Sequence, residues 1–306
     1  MLPITVLGEN GRRHVRVSTH ELAELVGGIG ARGELFLIVQ RIPDLPDVYL
    51  QVWHAAAESY YQLEHRDGGH DRHYQAFLDT PEPVVAAITG WARGEKGWDD
   101  GPAWTRLKFR APKRVRPLDL DGHERARLEA RVREVLVAGY ATRAELAEVA
   151  EQYLVSGRRR PVSPEQARHL ADRMWLERVG EQARWEGETD PERLTRAFAA
   201  LEASGITARE NFEGPHPSGD SGIGGAGAPD ARGFVYFHPE CTASAAAGRG
   251  LPLLYGGFDG SSGTAAAVGR EVVAALTAAG LPSQWDGDPE GTVMVIPLDW
   301  RKRLVG

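Results

Sequence analysis

The chain has 306 residues, 42% hydrophobic and 26% charged, which supplies sizeable cores and excludes wholesale disorder. Its 36 Lys and Arg against 43 Asp and Glu leave a net charge of −7, and neither half is a basic arm, which argues against a nucleic-acid protein. The lone Cys241 excludes an internal disulfide, and at about 150 residues per domain the length points to two domains.

The N-terminus, Met1 to Val6, has no basic stretch followed by an apolar core, so no signal peptide is expected. No apolar run approaches the roughly 20 residues of a membrane span. The expectation is a cytoplasmic protein with neither membrane nor nucleic acid as partner. Ile4–Leu7 and His14–Val17 flank Asn10-Gly11, a pair that tolerates positive φ and predicts a hairpin. Ser18 and Glu21 form a capping box for a short helix to about Val26, stopped by Gly27 and Gly28. Glu34–Gln40, Val48–Trp53, Tyr60–His65 and His73–Leu78 read as a meander of three or four antiparallel strands. Thr80 with Pro81 opens a helix whose Val84, Val85, Ile88 and Trp91 recur at helical spacing, and Trp104–Phe109 reads as an edge strand. The first domain, 1–110, is therefore an antiparallel sheet with two helices.

Residues 111–124, with Pro112 and Pro117, read as a linker into a second domain, 125–306. Helical signals follow at Arg125–Val137, at Thr142 with Glu145, at Ser163-Pro164 with Gln166, and at Asp190-Pro191 up to Gly205. The period then changes: Ile206–Arg209, Gly233–Phe237, Leu253–Phe258 and Thr292–Ile296 read as strands, with a helix from Thr264 to Ala279. The fold class is α+β, the second domain being a helical block packed on a small sheet. Glu213–Gly233, rich in Gly, Pro and Ser, reads as a surface loop.

No coherent catalytic set emerges, so the reading leans away from an enzyme. His65, His70 and His73 with Asp67 and Asp71 surround a predicted turn, but the spacing matches no metal motif, and a polar turn explains it. No metal and no cofactor are expected. Gly222–Gly227 superficially matches a phosphate loop, yet Pro229–Arg232 and a strand follow where a helix is needed. Asp259, Ser261, Ser262 and Thr264, between a strand and a helix, make a candidate ligand turn; the same residues also build an ordinary N-cap. Trp175 and Trp185 with Glu177, Arg178 and Glu181 suit either a cleft or a core stripe edged with ion pairs. Alternation along the third meander strand puts Tyr60, Gln62 and Glu64 on one face and the more apolar Tyr61 and Leu63 on the other. Tyr60, Gln62 and Glu64 are the candidate partner-binding row, which a plain solvated sheet face would resemble.

Two resemblances bear on function. Asp47–His54, Tyr61–Gly68, Arg72–Ala76 and Gly90–Arg93 resemble small bacterial immunity-type proteins that accompany polymorphic toxins. Together with the aromatic antiparallel sheet, the acidic charge and the lack of a catalytic set, it leads to the expectation of a non-enzymatic interaction protein, immunity-like, that binds a basic partner such as a toxin. Trp185–Phe198, Gly205–Phe212, Gly233–Pro239 and Leu254–Phe258 resemble an actinobacterial domain family of unknown function, over about residues 125 to 303. That resemblance implies a cysteine cluster just after Asn211-Phe212. Glu213–Asp220 stands there instead, which argues against a cysteine-based zinc or redox role. The alternative is an enzyme or small-molecule-binding protein with a cleft in the second domain.

Overall fold

Asn10-Gly11 closes the first hairpin as its conformational tolerance dictates. In the computed structural model, which describes residues 1–111, 114–212 and 230–305, β1 (Ile4–Gly8) pairs antiparallel with β2 (Arg13–Val15), and Gly11 has φ +77°. The Gly222–Gly227 run, and most of the Glu213–Gly233 stretch, lie outside those residues. Ser18 caps α1 (Thr19–Gly28) through a complete capping box with Glu21. The strands β3 (Phe36–Arg41), β4 (Val48–Trp53), β5 (Tyr61–Asp67) and β6 (His73–Leu78) form the expected meander. The sheet is nonetheless larger than a meander of three or four. The order β2-β1-β3-β4-β5-β6-β7 has seven strands, because β1 pairs with β3 and brings its hairpin partner along. At the other edge Trp104–Phe109 contributes only β7 (Thr105–Arg106).

One face of this sheet is apolar. Ile4, Val6, Val39, Leu50, Val52 and Leu63 are fully buried against Leu22 and Val26 of α1 and Val84, Ile88 and Trp91 of α2 (Pro81–Arg93). Each such side chain contributes about 1.5–3 kcal/mol by leaving water. Gly94, at φ +68° with its amide bonded back to Gly90 and Trp91, ends α2 as a left-handed cap.

The chain forms two compact units. The first comprises residues 1–128, 142–179 and 304–306, and the second comprises 129–141 and 180–303. The expected linker segment therefore groups with the first unit, as do α4 (Arg143–Gln152) and most of α5 (Pro164–Gln182). Thr142 and Glu145 make the expected capping box on α4; Ser163 and Gln166 exchange the equivalent bonds at α5. The preceding helix α3 (Gly122–Ala138) starts in the first unit and ends in the second.

The second unit holds α6 (Asp190–Ala203), α7 (Pro239–Ala246) and α8 (Ser262–Ala278) with a five-stranded sheet. Its strands are β8 (Ile206–Arg209), β9 (Gly233–Tyr236), β10 (Leu251–Gly257), β11 (Ser283–Gln284) and β12 (Val293–Val295), in the order β11-β12-β10-β9-β8. Only β8 and β9 run parallel. Its core joins Phe198, Val235, Phe237, Leu253, Val272, Leu276 and Val293. The sequence pattern did not yield α7 or β11. The α+β class, with a large antiparallel sheet and a smaller sheet with helices, is as expected.

Candidate functional site

The face of the seven-stranded sheet opposite α1 and α2 carries most of the first unit's unusual chemistry. Strand register places Tyr49, Gln51 and Trp53 of β4 on it beside Gln62, Glu64 and Arg66 of β5 and His73, Gln75 and Phe77 of β6. Tyr61 and Leu63 turn inward and are buried. Tyr60 immediately precedes β5, and its ring meets Phe77 edge-to-face at 5.1 Å and Trp53 at 6.3 Å. Phe77 is 53% exposed, so this aromatic group opens to solvent.

Gln62 and Glu64 are tied into a polar chain. The Gln62 amide donates to Glu64 Oε1 at 2.8 Å, and the other Glu64 oxygen bonds His73 Nε2 at 2.9 Å. His73 is only 4% exposed, sandwiched by Phe109 at 5.0 Å and edge-on to Tyr49 at 6.0 Å. Its Nδ1 is buried without a partner. Glu64 therefore supplies the partner of one ring nitrogen of a buried imidazole, besides belonging to the candidate row.

The histidines read as one turn cluster do not converge. Alternation puts His65 on the core face, against Trp98 at 4.8 Å and Trp104 at 6.1 Å, while His73 lies on the opposite face. Burial lowers the His65 pKa, with Asp67 and Asp99 opposing. Among the described residues, no group of three or more His, Cys, Asp or Glu is placed to hold a metal ion. Cys241 lies half-buried in α7, and burial raises its thiol pKa.

A second feature lies toward the β1–β3 side of the same face. The loop after β3 presents Asp44, whose Oδ2 accepts from Gln40 Nε2 at 3.0 Å and from Arg143 Nε at 2.8 Å. Arg143, the first residue of α4, also donates to Asp172 of α5 at 2.7 Å. The Asp44 side chain is 6% exposed and Arg143 20%. Burial opposes both charges; the flanking carboxylates keep Arg143 cationic, while burial holds Asp44 above the usual carboxylate range against the pull of Arg143. Trp175, fully buried, fixes the loop from below by donating Nε1 to the Asp44 carbonyl at 2.8 Å. Trp175 thus belongs to the core, and neighbouring Glu177 pairs with Arg173. A cavity of about 690 Å³ is lined by Arg13, Ile38, Gln40, Asp44, Tyr49, Arg143, Arg168 and Asp172 among others.

In the second unit the candidate ligand turn is closed upon itself. Ser261 is the N-cap of α8 and accepts from the Thr264 amide at 3.1 Å. Asp259 accepts from the Thr264 hydroxyl at 2.6 Å, the Ser261 hydroxyl at 3.1 Å and the Ser261 amide at 2.9 Å. Those bonds, the Thr264 hydroxyl first, lower the Asp259 pKa. Ser262 is the exposed first residue of the helix. Asp259, Ser261 and Thr264 come together with their hydrogen bonds directed at one another, and Ser262 stands beside them.

The same unit contains a polar network that the sequence pattern did not reveal. Glu210 accepts from Tyr140 at 2.6 Å, Lys302 at 2.6 Å and Thr195 at 2.5 Å, and Lys302 sits 4.4 Å over the Tyr140 ring. Burial, then Glu210, raises the Tyr140 pKa.

Fold and surface together define an α+β protein of two units, the first built on a seven-stranded sheet and the second on a five-stranded one. Residues 121–304 match a protein family described as a domain of unknown function, DUF6891, and the chain belongs to that family. No curated protein and no solved structure matches it. The expected resemblance of the C-terminal part to a family of unknown function is thereby met, from 121 onward.

Proposed function

We propose that the protein acts by binding another protein through the outer face of its first sheet, with Tyr60, Trp53 and Phe77 as the anchor. The carrying observation is the aromatic group at that end, where Phe77 is half exposed and Tyr60 packs edge-on against it. Aromatic side chains give large contact area at low entropic cost and dominate interface energetics. Gln62 and Glu64 supply a polar and acidic border, and the chain's net −7 suits a basic partner. This reading is immunity-like and cytoplasmic, and it needs no cofactor. Among the described residues no helix is long and apolar enough to cross a membrane.

Capture from native cells, compared between the wild type and the Tyr60→Ala and Phe77→Ala variants, tests it. A basic protein retained by the wild type and lost by both variants, with unchanged melting temperature, supports the reading. Equal capture by all three removes this face from consideration. Glu64→Lys is a poorer probe, because it also strips His73 of its acceptor.

A further inference from the structure

The cavity beside Asp44 is lined by groups of both charges that are not fully engaged, among them the Asp44 Oδ1 atom, which is buried without a hydrogen-bond partner. Asp44 and Asp172 each give one oxygen to Arg143, and Asp47 pairs with Arg66 at 3.1 Å. Asp172 bonds through Oδ1 alone, and with a side chain 35% exposed it presents its second oxygen unused. On the β2 side, Arg13 lines the same cavity and has no carboxylate within ion-pair distance among the described residues. Arg168, the other guanidinium of the wall, has only a 3.9 Å approach to an exposed Glu165. Leu7, Ile38 and the Tyr49 ring give the cavity an apolar floor. The volume, about 690 Å³, lies within the range of small-molecule sites.

Unused oxygens of Asp172 and Asp44, an Arg13 guanidinium with no close carboxylate, a weakly paired Arg168 and an apolar floor in one cavity match a ligand with three parts: an ammonium, a carboxylate and an apolar group. A purely anionic ligand would leave the Asp172 oxygen facing its own negative charge. A purely cationic one would meet Arg13 and Arg168. The Asp44–Arg143–Asp172 bridge is what fixes the wall, since it ties the loop after β3 to α4 and α5. We propose that this cavity binds a small zwitterion with an apolar side chain, a free amino acid or a short peptide. Guanidinium recognises the carboxylate by parallel hydrogen bonds, and Asp172 accepts from the ammonium.

Isothermal titration of the full chain with matched probes tests the proposal. L-phenylalanine and glycyl-phenylalanine carry both charges over different spans and so distinguish the amino acid from the peptide. 3-Phenylpropanoate and 2-phenylethylamine each lack one charge. The expected result is that one zwitterion binds about tenfold or more tighter than either single-charge probe. Arg13→Gln and Asp172→Asn should each weaken it by a similar factor, while the melting temperature of Arg13→Gln, an exposed site, stays unchanged. Single-charge probes binding as tightly as the zwitterions, binding indifferent to both substitutions, or no heat from either zwitterion at about 10 mM would overturn the proposal.

Discussion

Asp44 and Arg143 are 99 positions apart in sequence and joined by a 2.8 Å hydrogen bond that is nearly closed to solvent. Removing one partner of a buried pair leaves an uncompensated charge, at a cost of about 3–5 kcal/mol. Arg143→Leu should therefore lower the urea-unfolding free energy of the protein by that order. Adding Asp44→Asn should recover much of the loss, because the buried carboxylate that burial already disfavours is then neutral. A double variant as unstable as the single one would show that α4 is held by packing instead.

That pair also marks where sequence reading stops. Periodicity and capping are local signals, so the Ser18–Glu21 and Thr142–Glu145 boxes and strand β4 were legible residue by residue. The inward turn of Leu63 and the outward turn of Gln62 followed from alternation alone. Asp44, in contrast, sits in a Pro-flanked loop, and nothing local distinguishes it from a solvated turn residue. The same holds for Glu210, whose partners lie at 140, 195 and 302. The hairpin histidines show the same limit from the other side: neighbours in sequence, His65 and His73 lie on opposite faces of the sheet.

His65 makes the first unit acid-sensitive. Its pKa in the folded chain lies below the ordinary 6.5 because burial among Trp98 and Trp104 disfavours the cation. Its contribution to stability is fully present above 6.5, and it is lost as pH falls through the lowered folded value, since the unfolded chain takes up the proton more readily. His65→Phe keeps an aromatic ring in place and removes the titration. Between about pH 7 and about pH 5, its melting temperature should fall less steeply than that of the wild type. Parallel slopes would assign the acid sensitivity to other groups.

The Glu210 network should show a graded response. Glu210 holds three donors, so Glu210→Ala leaves Lys302 charged and only 14% exposed, without its carboxylate. A loss of about 3–5 kcal/mol is expected. Tyr140→Phe removes a single donor while the ring stays packed beside Phe237 and Trp300, and should cost about 0.5–1.5 kcal/mol. Denaturant unfolding of both variants checks the order. Equal losses would mean that the Tyr140–Glu210 hydrogen bond, and not the ion pair with Lys302, carries the network's contribution to stability.

Two glycines of α8 provide a contrast in which helix propensity and packing take opposite sides. Replacing a helical Gly by Ala gains up to about 1 kcal/mol of propensity. At Gly263 a Cβ meets nothing within 4 Å, so Gly263→Ala should stabilise, by less than the full amount because the position is in the first turn. At Gly269 the same atom would stand 2.7 Å from Trp285 Cζ2 and 2.9 Å from Tyr255 Cε2. Those rings are not free to retreat. Trp285 Nε1 donates to the Tyr255 hydroxyl at 2.8 Å, and that hydroxyl donates to the Asp288 carbonyl at 2.6 Å. Overpacking of this kind costs about 1–3 kcal/mol, which exceeds the propensity gain. Gly269→Ala should therefore lower the melting temperature while Gly263→Ala raises it. A higher melting temperature for Gly269→Ala would show that the Trp285 segment moves aside at little cost.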